Sequence, residues 1–382
     1  MPICRHSGKG DDTLTNNHSK RNYNFDLLKI LAMLLIILVH SFSKSGLRDC
    51  LLPGTWNYYT GNLLYTPGLV ATNCFVMVSG YFLCTSKFKL KKLLSIWAQV
   101  LFYSVFLFIF VVILIPSSFS FIDLIQSILA ITTKQYWFAT AYILLYIFFP
   151  FINIAIHSMG KRMHLLLCCV LILIFTIIDN IIFFSDFSGI TSGYSFLWFC
   201  VIYILAAYLR LYVPERIHYQ RFMLPLYIIC IVLVTLTYFT GTALLGTSDL
   251  GQAISSLFYT RNSILLLPAT LFLFQYIRGL TITGKNATRL ISLLMPSVFG
   301  VYLIHDNPFL YPLLWDALGT AARFDSPFML LFQLLQPICI FAVCALADTL
   351  RRRLFRLLHI DSTLDSLGDK LQSLAENKLY MD

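Results

Sequence analysis

From Leu93 to Ile115 the chain runs for 23 residues, LLSIWAQVLFYSVFLFIFVVILI, without one charged side chain. A helix of that length, rising about 1.5 Å per residue, crosses the roughly 30 Å of hydrocarbon in a bilayer. Similar runs recur along the chain, as at 328–347. Backbone polar groups inside lipid must be paired within the protein, so only helix bundles and closed barrels can span. Barrel strands would alternate apolar and polar residues over about ten positions; the runs here are continuous and about twice that length. Charged residues make up only 12% of the chain, about half the roughly 25% that a soluble domain carries. Soluble globular, disordered and fibrous classes are therefore excluded. The fold class expected is all-α, a polytopic transmembrane helix bundle.

Ten spans are read, at 24–43, 63–84, 93–115, 136–156, 164–184, 194–211, 222–241, 262–280, 290–315 and 327–349. The first is too polar at its start, and lacks a cleavage site, to be a signal peptide. Lys and Arg alternate strictly between the connecting segments, 22 in one set and five in the other. Cytoplasmic loops carry the excess of basic residues, so both termini are placed in the cytoplasm of a multi-pass cell-membrane protein. The net charge of +10 then reflects topology, and nucleic acid is not a partner. Segment 119–131 reads as a short amphipathic helix at the outer interface. Residues 1–21 form a polar N-terminal tail, 22–356 the transmembrane domain and 357–382 a cytoplasmic C-terminal tail. None of the ten cysteines falls in a CxxC or at metal spacing with a histidine, so neither a metal site nor a disulfide framework is expected.

An ionisable side chain within a span is costly and is by default a candidate for function. Asp26, Lys29 and His40 lie on the first span; at about 100° per residue they share an arc of roughly 60°. Lys29 and His40 are about 16 Å apart along the axis, which makes the three a polar stripe along one face. Snorkelling to the headgroups is the competing account for Asp26 and Lys29, and the shared face counts against it. His305 and Asp306 lie toward the outer half of the ninth span, at the depth of His40. Ser79-Gly80 is small enough for close helix packing. Lys87, Lys89, Lys91 and Lys92 crowd a short cytoplasmic stretch, suited to anionic lipid or to a phosphate-bearing ligand. Trp137 fits the aromatic belt, and Asp179 and Asp348 read as structural. GxSxG, a Walker loop and a dinucleotide fingerprint are all absent, which leaves acid–base work by histidine as the chemistry of any enzyme here.

The chain resembles the integral-membrane acyltransferases of acyltransferase family 3. The resemblance covers residues 22–356 and rests first on that family's Arg-x10-His pattern, met by Lys29 and His40. Five further stretches follow in order: Phe75–Phe82, Trp137–Pro150, Phe196–Arg210, Arg261–Gln275 and Phe299–Asn307. The last, FGVYLIHDN, is similar to the branch that includes the enterobacterial common antigen O-acetyltransferase. Lysine at position 29 keeps the family arginine's charge but not its planar fork.

The resemblance implies a bacterial cell-membrane enzyme that moves an acyl group, most often acetyl, from acyl-CoA to a hydroxyl of a cell-surface or lipid-linked glycan. His40 would be the catalytic base or acyl carrier, with Lys29 and His305 assisting. The lysines at 87, 89, 91 and 92 would hold acetyl-CoA, with no metal. Asp26, Ser79, Trp137, Asp306 and Asn307 would lie on the substrate. The alternative is a transporter or flippase of a lipid-linked sugar, with a polysaccharide polymerase third.

Overall fold

The computed structural model describes residues 22–182, 188–246 and 248–379; the expected N-terminal tail at 1–21 lies outside them. The architecture is an all-α polytopic helix bundle, with no strand among the described residues. Among the described residues, eight helices are long and apolar enough to cross a membrane: α1 (Tyr23–Ser43), α2 (Trp56–Leu83), α3 (Leu90–Leu114), α4 (Trp137–Ser158), α5 (Lys161–Ile181), α7 (Gln220–Leu245), α9 (Lys285–His305) and α10 (Met329–Leu357). At the other two expected spans stand the shorter helices α6 (Phe196–Tyr212) and α8 (Leu266–Arg278). A short helix, Phe121–Ile128, fills the segment expected to be amphipathic, with Phe121, Ile122, Ile125 and Ile128 exposed.

Asn22 starts α1: its side-chain oxygen accepts the Asn24 N–H at 3.2 Å, satisfying one of the amides orphaned at a helix start. From there α1 runs through the middle of the bundle. One apolar cluster takes its Phe25, Leu28, Leu38 and Phe42. A second takes its Ile30, Met33 and Ile37. The outer helices turn Ile113, Ile154, Leu166, Val343 and Leu346 outward. Such exposure would be an aggregation liability in water, and it is what a lipid-facing surface requires.

The close approach of α2 to α6 depends on Gly80. A Cβ there would come within 2.9 Å of the Tyr203 Cα and backbone oxygen, so backbone, not a movable side chain, fills the space. Replacing Gly80 with valine is expected to cost about 1–3 kcal/mol through overpacking. The readout is a lower melting temperature in detergent.

Among the departures from the sequence reading, two have a visible physical cause. The ninth span, expected to continue to 315, ends at His305, and a separate helix covers Leu310–Ala317. Pro308 explains the break, since it lacks an N–H and disfavours helical backbone in the residue before it. Asn307 caps the new start, its Oδ1 accepting the amides of Phe309 at 3.0 Å and Leu310 at 3.1 Å. The C-terminal segment contains a helix, α11 (Ile360–Leu379), which packs on the start of α3. Asp369 pairs with Lys91 at 3.1 Å, and Gln372 Oε1 accepts the Leu90 amide at 3.0 Å.

Candidate active site

A cavity of about 310 Å³ runs beside α1 and touches both Lys29 and His40. Its volume falls at the lower end of the roughly 300–1,000 Å³ common for small-molecule sites. Lys29 and Gln99 mark one end, with Ile96, Met295 and Pro296 beside them, and His40 lies toward the other. Ser79 and Tyr142 lie on the wall with Phe75, Trp137, Phe138, Arg261 and Tyr302. The polar stripe of the first helix therefore faces a hollow rather than lipid at two of its three positions. Asp26, the third, is half-buried and not part of this wall.

His40 Nδ1 is 3.1 Å from His305 Nε2 and 3.3 Å from Asp306 Oδ1. The proton positions follow from the partners. His305 Nδ1 sits 2.6 Å from the Val301 carbonyl oxygen, which can only accept, so Nδ1 carries the proton. In neutral His305, Nε2 then holds a lone pair and accepts from His40 Nδ1. That leaves His40 Nε2 as the unprotonated nitrogen, on a residue that lines the cavity. Asp306, nearly fully buried, accepts from the Lys44 ammonium and holds its Oδ1 3.3 Å from His40 Nδ1. A carboxylate behind a histidine holds the ring's tautomer and stabilises the imidazolium that forms when it takes a proton. Lys44 also lies 4.4 Å from the centre of the Tyr311 ring.

Asp306 faces His40 and not its sequence neighbour His305 because α9 has ended. Asp306 is the C-cap, with φ −99° and ψ 4°, and the chain is already turning across the end of α1. Asn307 is buried, donating to Tyr136 Oη at 2.7 Å; it supports this turn and does not reach the cavity wall. Ser79 Oγ donates to the Phe75 carbonyl at 3.0 Å and lies 3.4 Å from Tyr142 Oη.

At the Lys29 end, Gln99 Nε2 donates to Asp348 Oδ1 at 3.4 Å. Asp348 is fully buried, and takes hydrogen bonds from Tyr103 at 2.8 Å and Arg351 at 3.0 Å. The lysines at 87, 89, 91 and 92 occupy the loop before α3 and the first turn of that helix, outside the cavity wall. Lys87, Lys89 and Lys92 are exposed, and Lys91 is engaged by Asp369.

Lys44, Tyr142, Gln99 and Arg261 join the site without having been singled out from the sequence. Lys44 carried a readable signal, four residues after His40 and so on the same helical face. Arg261 had a weaker one, as the lone basic residue of its connecting segment.

No curated protein and no solved structure matches the chain. A protein family described as an acyltransferase domain, acyltransferase family 3, matches over residues 22–352. That span holds every cavity-lining residue, His305 and Asp306. The chain belongs to the membrane acyltransferases of this family.

Proposed function

We propose that the protein transfers an acyl group, acetyl, from acyl-CoA to a hydroxyl of a cell-surface or lipid-linked glycan. The observation that carries this reading is the placement of His40, whose Nδ1 faces His305 and Asp306 while the residue lines the same cavity as Lys29. In the proposed step His40 Nε2 takes the proton of the acceptor hydroxyl as its oxygen attacks the thioester carbonyl. The C–O bond forms, the C–S bond breaks, and the proton passes from His40 to the departing thiolate. General-base help of this kind is worth about 10²–10⁴ in rate. Asp306 and His305 hold the ring, and Lys29 steadies negative charge toward the donor.

The exposed lysines 87, 89 and 92 suit the phosphates of coenzyme A on the cytoplasmic face. This placement includes ten spans and cytoplasmic termini, as the alternation of basic loops requires. The branch proposed is that of the enterobacterial common antigen O-acetyltransferase, carried by FGVYLIHDN at 299–307. Mass spectrometry of surface polysaccharide from cells with and without the gene tests the reading. Loss of one acetyl mass from an otherwise intact glycan supports it. Loss of the glycan itself supports the flippase, and an unchanged glycan overturns the reading. Neutralising Lys87, Lys89 and Lys92 together should raise the KM for acetyl-CoA with little change in kcat, because these side chains would bind donor and transition state alike.

A further inference from the structure

Arg261 stands in the turn before α8 and is 9% exposed. Its backbone is pinned on both sides: the amide donates to Ser192 O at 3.2 Å, and the carbonyl accepts from Asn73 Nδ2 at 2.9 Å. Asn73 in turn accepts from Trp198 Nε1 at 2.9 Å. Gly193, at φ +86°, lets the chain pass beneath the arginine; a Cβ there would meet Arg261 Cβ at 2.7 Å. The guanidinium lies 3.7 Å from the centre of the Tyr194 ring and 5.4 Å from that of Trp137. Ring faces attract a cation but accept none of its N–H bonds in the way an oxygen does. Nε has no hydrogen-bond partner, and among the described residues no carboxylate pairs with this side chain.

The same bundle treats a structural arginine differently. Arg278, 2% exposed, spends its donors on the carbonyls of Leu209 at 3.0 Å, Val213 at 2.8 Å and Pro214. Arg261 Nε has no such partner, and the side chain stands on the wall of the cavity that holds His40. Trp137, which the guanidinium faces, follows Tyr136, whose Oη accepts from Asn307 at 2.7 Å in the turn that holds Asp306. Arg261 therefore stands toward the His40 end of the cavity, away from the lysine loop. Tyr194 beside it is 47% exposed, so this corner opens outward.

We propose that Arg261 is a specificity-determining residue for the acceptor, and that the acceptor is an acidic sugar whose anionic oxygens, from a carboxylate or a phosphate, are gripped by the guanidinium fork while its ring lies against Trp137 and Tyr194. This rests on His40 marking the acyl-transfer site. A planar fork suits two oxygens of one anionic group, and aromatic faces leave the edges of the guanidinium free to meet them. The coenzyme's phosphates belong at the opposite end, which leaves the acceptor as the source of the anion.

The test is calorimetric titration of the full-length protein in lipid nanodiscs with glucose, glucuronate and glucose 1-phosphate. At least one anionic sugar should bind about ten-fold or more tighter than glucose, the range of one charged hydrogen-bonded contact. Which of the two does so distinguishes carboxylate from phosphate. Arg261→Gln should erase the preference, and Arg261→Lys should restore part of it, because charge returns without the fork. Retained acetyl-CoA binding by Arg261→Gln verifies that the variant is folded. If that binding is lost, the comparison with Arg261→Lys decides. Equal affinities for the three sugars, no binding of either anionic sugar, or a preference that survives both substitutions overturns the proposal. Acetyl-CoA turnover in wild type and His40→Ala is read separately. Failure of the acyl-transfer reading would thus leave a charge-dependent sugar site in place, and failure of the sugar site would leave the turnover.

Discussion

Cells that carry His40→Ala in place of the wild-type protein should lose acetylation of the surface glycan while the variant remains in the membrane at normal abundance. The expected loss is at least the roughly 10²–10⁴ that a positioned general base contributes. If the imidazole also carries the acyl group, no activity remains. The substitution is structurally mild, because His40 lines a cavity and its polar neighbours His305 and Asp306 retain other partners in Val301 and Lys44. A drop in protein level would therefore be unexpected, and immunoblotting of membranes measures it beside the mass spectrum. Full acetylation in His40→Ala would remove the histidine from the mechanism.

The second large effect is expected at Asp306, a residue without a place on the cavity wall. Asp306→Asn keeps the size of the side chain but removes the negative charge that steadies the imidazolium formed when His40 takes a proton. A fall of about 10²–10⁴ in kcat is predicted, with KM for acetyl-CoA little changed, because the loss is confined to the transition state. Lys44→Met provides the contrast. It removes a cation beside Asp306 but leaves the carboxylate facing His40, so its effect should be smaller than that of Asp306→Asn. If Asp306→Asn and wild type turn over alike, the carboxylate is a structural anchor for Lys44 and nothing more.

Helical phase sets Lys29 and His40 on one face of the first span, because an α-helix repeats regularly over eleven residues. Depth sets His305 level with His40, and the structure brings the two within 3.1 Å. Neither phase nor depth gives the Asp306–His40 contact. Helical phase points residues 305 and 306 to different faces, and only the break before Pro308 turns the carboxylate back across α1. Arg261 was harder still. Its significance depends on having no carboxylate partner, which is a property of the assembled neighbourhood and leaves no mark in the local sequence. The same holds for α11: read by composition, residues 360–379 are a polar tail. One face of the helix becomes useful only where Gly368 lies against the backbone of Lys91.

What the chain's own residues determine is therefore the solvent and the scaffold. Long uncharged runs force helices through a bilayer, since lipid leaves no other way to pair so many backbone groups, and the periodicity of one helix sets a lysine and a histidine on a common line. The tertiary structure decides everything that needs two helices at once. It opens a cavity along that line, brings Asp306 and His305 behind His40, and strands Arg261 beside aromatic rings. Those contacts join residues as many as 266 positions apart, and short-range pattern carries no information about which distant side chain will fill the space opposite.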